Sequence, residues 1–244
     1  MKEMSKSIPR RLSQPNFLRR YFVGSGLDIG GKPDPLTLYT ETFPMMDAVR
    51  TWDREDGDAQ LLEGVNSESF DFVHSSHCLE HLADPWVGLK NWLRVLKPGG
   101  FLILLVPDED LYEQGVFPSA RNADHKWTFT IYKSTSWSPR SINLLDMIVK
   151  TDVPLRVEKI ELLNATYRFD LPRFDQTMTP IGECAIECVL QKMTPQDTEN
   201  QGLYTPGGQP DTELRTHYNQ YLDDHQSARA ANSGRPPFSN TKPL

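Results

Sequence analysis

Two periods of apolar positions mark out the middle of this chain. Phe70 to Ser75 is β-rich and bounded by polar residues, which predicts a short strand. Asp84 and Pro85 then supply an N-cap and a first-turn proline, where a missing N–H costs least. Trp86, Leu89, Leu93 and Leu96 follow at helical spacing and predict one apolar helix face. Pro98-Gly99-Gly100 stops that helix, and the unbroken apolar run Phe101 to Val106 comes next. A strand apolar on both faces belongs in the middle of a parallel sheet. Strand, crossover helix and buried strand make one βαβ unit, so the chain is read as an α/β fold.

Other segments extend that unit. A short apolar stretch from Tyr21 ends at Asp28, with glycines at 24, 26, 30 and 31, where a backbone can turn tightly and approach a ligand. The dinucleotide spacing G-x-G-x-x-G is not matched. The span from Asp53 to Phe70 is too short for a helix and a further full strand, which predicts a trimmed sheet. After Asp108 come about thirty residues without clear periodicity, the length of a lid or binding loop. They follow the carboxyl end of a central strand, so they are read as the substrate-recognition segment, offering Tyr112, Asp124, His125, Trp127 and Trp137. Ser138-Pro139 predicts a helix start with Ile142, Leu145 and Val149 toward the core. Val157–Tyr167 and Ile181–Gln191 are the last two predicted strands, ending the sheet in antiparallel sense.

Composition narrows the class. Among 244 residues, 38% are hydrophobic, enough for one good-sized core, and the formal charge of -7 disfavours wholesale nucleic-acid binding. No apolar run reaches membrane-spanning length, so no membrane association is expected. Three cysteines without a CxxC motif suit a reducing compartment, and the protein is expected to be cytoplasmic. Cys184 and Cys188 read as small buried packing residues. Residues 1–20 form a basic arm with Arg10, Arg11, Arg19 and Arg20: either solvated, or placed near the site so that an arginine such as Arg11 grips a carboxylate or phosphate. From 194 to 244 the chain is polar and expected to be disordered or surface-draped, with a thin helical pattern near Thr212 to Ala231.

Together, LDIGG after the first strand and FDFVHSSHCLEHL…RVLKPGGFLILLVPD downstream resemble the class I S-adenosylmethionine-dependent methyltransferases, and most the small-molecule branch with LEHL and RVLKPGG. The resemblance covers residues 21–193 and implies a Rossmann-like sheet, mostly parallel with an antiparallel final strand, and helices on both faces. It implies S-adenosylmethionine as cofactor, with Asp28, Gly30 and Gly31 near its methionine end. Asp53 would hold the ribose hydroxyls, Asp58 and Ala59 would meet the adenine, and Ser75, Ser76 and His77 would border the transferred methyl. Lys32-Pro33 stands where the family usually has its second glycine.

His125 is a candidate general base and His77 a second catalytic candidate, each set against a plainer hydrogen-bonding role. His77-Cys78-Leu79-Glu80-His81 matches H-x-x-E-H, a zinc-protease pattern, but it lies at a strand's mouth rather than inside a long helix, and no metal ligand set is assigned. The expected activity is methyl transfer to oxygen or nitrogen of a small polar acceptor, a sugar or nucleotide-sugar or a heterocyclic intermediate, by a monomer or homodimer. The alternative is a methyltransferase-like scaffold without catalysis.

Overall fold

The structure, a computed structural model, describes residues 2–178 and 182–203. In chain order it runs α1 (Glu3–Leu12), α2 (Pro15–Tyr21), β1 (Gly24–Ile29), β2 (Met46–Trp52), β3 (Phe70–Ser76), α3 (Pro85–Val95), β4 (Leu96–Pro107), β5 (Thr128–Thr130), β6 (Ser141–Asn143), α4 (Leu144–Val149), β7 (Leu155–Leu163), β8 (Ala185–Lys192) and α5 (Pro195–Glu199). Tight turns at Leu36–Thr42, Leu79–His81 and Glu109–Glu113 punctuate it.

The main sheet has the order β2-β1-β3-β4-β8-β7. Its first four strands are parallel, and β8 runs antiparallel to both neighbours. This is the Rossmann-like sheet with an antiparallel final strand, and no strand forms between β2 and β3. The predicted βαβ unit is β3-α3-β4. Asp84 caps α3 by accepting hydrogen bonds from the Trp86 and Val87 N–H groups at 2.9 and 3.1 Å, with Pro85 just inside the helix. The helix ends at Val95, and β4 starts at Leu96, ahead of the glycine pair.

Alternation along the strands divides the core between two faces. Leu27, Ile29, Val73, Leu102 and Leu104 pack with Leu89, Trp92 and Leu93 of α3 and with Met147 and Ile148 of α4. On the opposite face Phe72, Ile103 and Leu105 pack with Met4, Phe17 and Leu18. The N-terminal arm is therefore corrected to two helices that cover the sheet. Its arginines attract notice in the sequence, but its apolar stripe decides where it goes. Arg11 is fully buried over the Phe17 ring, 4.4 Å from its centroid, and stands 2.5 Å from Glu187 of β8.

The predicted helix at Ser138 is also corrected. Residues 141–143 first make a strand with β5, and Asn143 caps α4 by accepting from the Asp146 N–H at 3.1 Å. That later start rotates the apolar face, so Leu144, Met147 and Ile148 are buried while Leu145 and Val149 are exposed. Trp92 packs in the core, whereas Trp86 is partly exposed and meets Trp127 edge-on. Thr194 and Asp197 form a capping box that starts α5, so the segment after β8 begins with order. The helical pattern near Thr212 lies outside the described residues. Among those described, no helix is long and apolar enough to cross a membrane.

Cys78, Cys184 and Cys188 are free and buried, and burial pushes each thiol up to about 12. The native protein should thus react slowly with a thiol reagent at pH 8 and release its full titre only in denaturant. A fast native titre at any of the three would contradict this burial.

Candidate functional site

The carboxyl ends of β1, β2 and β3 open into a cleft with two lobes of about 260 and 440 Å³, which share Gly30, Lys32, Arg54, His77, His81 and Asp124. This is where an open parallel sheet offers backbone and loops to a ligand. Gly30 turns the chain with a left-handed φ of +71°, and a Cβ there would come within 2.8 Å of Cys78. At Gly31 the constraint is space, since a Cβ would sit 2.3 Å from Asp28 Oδ2.

Asp28 lines the smaller lobe but is almost wholly buried, and its carboxylate is engaged within the protein. Oδ2 accepts the Leu36 N–H at 2.8 Å, and Oδ1 meets His74 Nδ1 at 2.7 Å. His74 lies opposite Asp28 in the parallel register and also lines this lobe. The sequence does not single it out; its signal is a histidine directly after the apolar Phe72-Val73 in the buried part of the strand. Lys32 follows the glycine pair, and its backbone N–H donates to Asp53 Oδ2 at 2.9 Å. Asp53 Oδ1 accepts the Arg54 N–H at 2.8 Å, so two backbone donors fix the carboxylate at the edge of the larger lobe.

Asp58 and Ala59 line that same lobe with Trp52 and Gly57. Their loop is pinned by indoles: Trp52 Nε1 donates to the Gly57 carbonyl at 3.2 Å and Trp92 Nε1 to that of Ala59 at 2.8 Å. Ser76 and His77 reach the smaller lobe, while Ser75 is buried and donates to the Ile29 carbonyl at 3.2 Å.

The recognition segment contributes less to the cleft than its length suggests. Asp124 and His125 line it. Tyr112 is buried behind His125, with ring centroids 5.0 Å apart, and is absent from the lining of either lobe. Trp127 packs instead, donating to the Leu82 carbonyl at 3.0 Å with Arg140 over its ring. Trp137 donates to Asp110 at 3.0 Å and borders a separate depression with Leu111 and Tyr167. Arg11 is on the far face with Glu187. These four are corrected to packing and scaffold positions, because each aromatic edge or charge already has a partner within the fold or is sealed in the core.

At the mouth of the cleft His77, Glu80, His81 and His125 converge. The H-x-x-E-H stretch lies on a 3-10 turn, Leu79–His81, instead of a long helix, and His77 has a left-handed φ of +53°. His125 Nδ1 meets Glu113 Oε1 at 2.6 Å, and His81 Nδ1 meets the Asp124 carbonyl at 3.1 Å. Burial disfavours charge on His77, but Glu3 and Glu80 outweigh it and hold its pKa above the ordinary value. Burial raises the Glu80 carboxyl, and the surrounding histidines more than reverse that, His77 first. Glu113 and Arg54 have no signal in the sequence, and Glu80 and His81 stand out there only through the H-x-x-E-H pattern, since nothing local links residue 80 to residue 125.

Comparison with known proteins adds the following. Residues 42–104 match the methyltransferase domain family. An uncharacterized methyltransferase of Mycolicibacterium vanbaalenii is 31% identical over 91 residues, 37% of this chain, and the chain spans 34% of the length of that relative. Among solved structures, a SAM-dependent methyltransferase from Archaeoglobus fulgidus is 15% identical, with 79% of this chain and 95% of the other covered and a TM-score of 0.45. The YcgJ protein from Bacillus subtilis is 14% identical, with 76% and 99% covered and a TM-score of 0.44. The segment matched to that methyltransferase domain carries β2, β3, α3 and most of β4, and with them much of the cleft.

Proposed function

We propose that the chain is an S-adenosylmethionine-dependent methyltransferase acting on oxygen or nitrogen of a small polar acceptor. The observation that carries this reading is the pairing of a fixed carboxylate with a glycine turn at one cleft. Asp53 lines the larger lobe, Gly30 lines both lobes and Gly31 lines the smaller one. Each Asp53 oxygen accepts one backbone N–H and keeps a further acceptor position, which suits the vicinal hydroxyls of a ribose. The loop of Asp58 and Ala59, held by two indoles, suits the edge and face of an adenine. The close approach at Gly31 and the turn at Gly30 leave room for the methionine end past Ser76 and His77.

Bound there, the cofactor supplies a methyl group on a good leaving group. What the protein must add is alignment of acceptor and methyl, which itself lowers a barrier substantially. The smaller lobe is polar, lined by Glu3, Asn122, Asp124, His77 and His125, which supports an acceptor with hydroxyl or amine groups. Sugars, nucleotide-sugars and heterocycles are the acceptor classes to screen.

Calorimetric titration with S-adenosylmethionine and S-adenosylhomocysteine tests the reading. Asp53→Ala should weaken both by about 1–3 kcal/mol, the worth of hydrogen bonds to a charged acceptor, or roughly five- to 150-fold. Unchanged affinity would remove Asp53 from the site. Folded wild-type protein that binds neither compound would overturn the proposal and leave the scaffold reading.

A further inference from the structure

We propose that Glu80, His81 and His125 form a binding site for one divalent transition-metal ion at the edge of the cleft. One ligand atom from each, His81 Nε2, His125 Nε2 and a Glu80 oxygen, lies within 4.8 Å of the others. Both Nε2 atoms stand 3.8 Å from Glu80 Oε1.

Each histidine is held in the form a ligand needs. The Nδ1–H of His125 donates to the Glu113 carboxylate at 2.6 Å, and that of His81 to the Asp124 carbonyl at 3.1 Å. With Nδ1 so occupied, each neutral ring keeps its lone pair on Nε2, turned toward Glu80. Carboxylate–histidine and carbonyl–histidine pairs of this kind are what orient metal-bound imidazoles.

Glu80 supplies the independent sign of a missing partner. Its side chain is fully buried, yet neither carboxylate oxygen accepts a hydrogen bond of normal geometry. The nearest imidazole nitrogens are at 3.5 Å on His77 and 3.8 Å on His81 and His125. A charged hydrogen bond would draw such a pair to about 2.7–2.9 Å. A cation about 2.0–2.2 Å from each ligand holds them roughly 3–3.5 Å apart, so small side-chain rotations close the site.

The two segments that bring the ligands together are laced to each other. The Lys126 N–H donates to the Glu80 carbonyl at 2.9 Å, and Lys126 Nζ donates to the carbonyl of His81. A donor set of two imidazoles and one carboxylate suits zinc, cobalt, nickel or manganese better than magnesium or calcium. Because His81 and His125 line the cleft, the remaining coordination positions face the space where an acceptor oxygen or nitrogen would sit. In this arrangement His125 is a ligand and not a general base.

The test uses the full-length protein, stripped with EDTA and titrated with Zn²⁺ by calorimetry, with Co²⁺ followed by its visible absorption. One equivalent should bind, and Co²⁺ should give the spectrum of a site with nitrogen and oxygen ligands. His81→Ala, at a partly exposed position, and Glu80→Gln should each weaken binding at least tenfold; Glu113→Gln should do so about 10–100-fold by releasing His125. Circular dichroism checks that each variant is folded. Folded protein that takes up no Zn²⁺, or binding undiminished by His81→Ala, would overturn the proposal; protonated histidines would then balance Glu80. No S-adenosylmethionine is present in this measurement, so its outcome is separate from that of the cofactor titration.

Discussion

Glu187→Gln should be among the most destabilising single changes in this protein, costing about 3–5 kcal/mol, the usual penalty for removing one partner of a buried ion pair. Glu187 is fully buried in β8, on the face it shares with Ala185 and Val189, toward α1 and α2. Arg11 is equally buried 2.5 Å away, Arg10 Nη1 lies at 3.0 Å and Lys159 Nζ at 2.8 Å. The glutamine keeps the shape and an acceptor but leaves a buried guanidinium without its counter-charge. Domains are stable by only about 5–15 kcal/mol, so a urea midpoint or a melting temperature reports the change directly. A loss below about 1 kcal/mol would mean that Arg11 finds water or another anion in the variant.

The same carboxylate predicts an acid limb. Burial alone would raise Glu187, but Arg11, Arg10 and Lys159 overcome it and hold the carboxyl down at about 2, against an ordinary value near 4.5. The folded pKa is depressed, so the stabilisation is complete above about pH 4.5 and is lost as pH falls toward 2. By linkage this amounts to about 3 kcal/mol. Glu187→Gln should flatten that part of the stability–pH curve, and a variant as acid-sensitive as the wild type would place the effect on other carboxylates.

Which features were legible in the sequence follows from how local their physics is. The β3-α3-β4 unit could be read because each boundary is written within a few residues: Asp84 and Pro85 open the helix, and Gly99 and Gly100 follow its end. Asp53 could be placed because it directly follows β2. Arg11 could not, because its partner is 176 positions away and only the packed sheet brings them together. Glu187 was visible as a lone acid inside the apolar run CAIECVL, and the arginines of α1 were visible too, but periodicity does not say which face meets which helix. The histidine cluster failed for a related reason. His77, Glu80 and His81 suggested a helical zinc motif, whereas the chain makes a 3-10 turn there, and the third member of the cation site, His125, comes from the segment after β4. Length marked that segment as functional. Only packing shows that Asp124 and His125 reach the cleft while Tyr112, Trp127 and Trp137 hold the segment in place.

Gly31→Ala should damage both the fold and the proposed cofactor site. The new Cβ would lie 2.3 Å from Asp28 Oδ2 and 3.1 Å from Pro35 Cβ. Asp28 cannot swing aside cheaply, since its two oxygens hold the Leu36 N–H and His74 Nδ1 at 2.8 and 2.7 Å in a buried setting. Either the turn moves or these charge-assisted bonds break, at about 2–3 kcal/mol of stability. A displaced turn also reshapes the lining that Gly30 and Gly31 give to the cleft, so affinity for S-adenosylmethionine should fall about tenfold or more if the methionine end lies there. Gly64→Ala is the control. It also meets a left-handed φ, +77°, but nothing lies within 4 Å of the added carbon, so it should cost about 1–2 kcal/mol of backbone strain and leave cofactor affinity unchanged. Asp28→Ala combined with Gly31→Ala sharpens the argument. Asp28→Ala removes the atom that the carbon added by Gly31→Ala collides with, so the double variant should be less damaged than the sum of the singles. Strict additivity would mean that the collision with Asp28 is not what makes glycine necessary at 31.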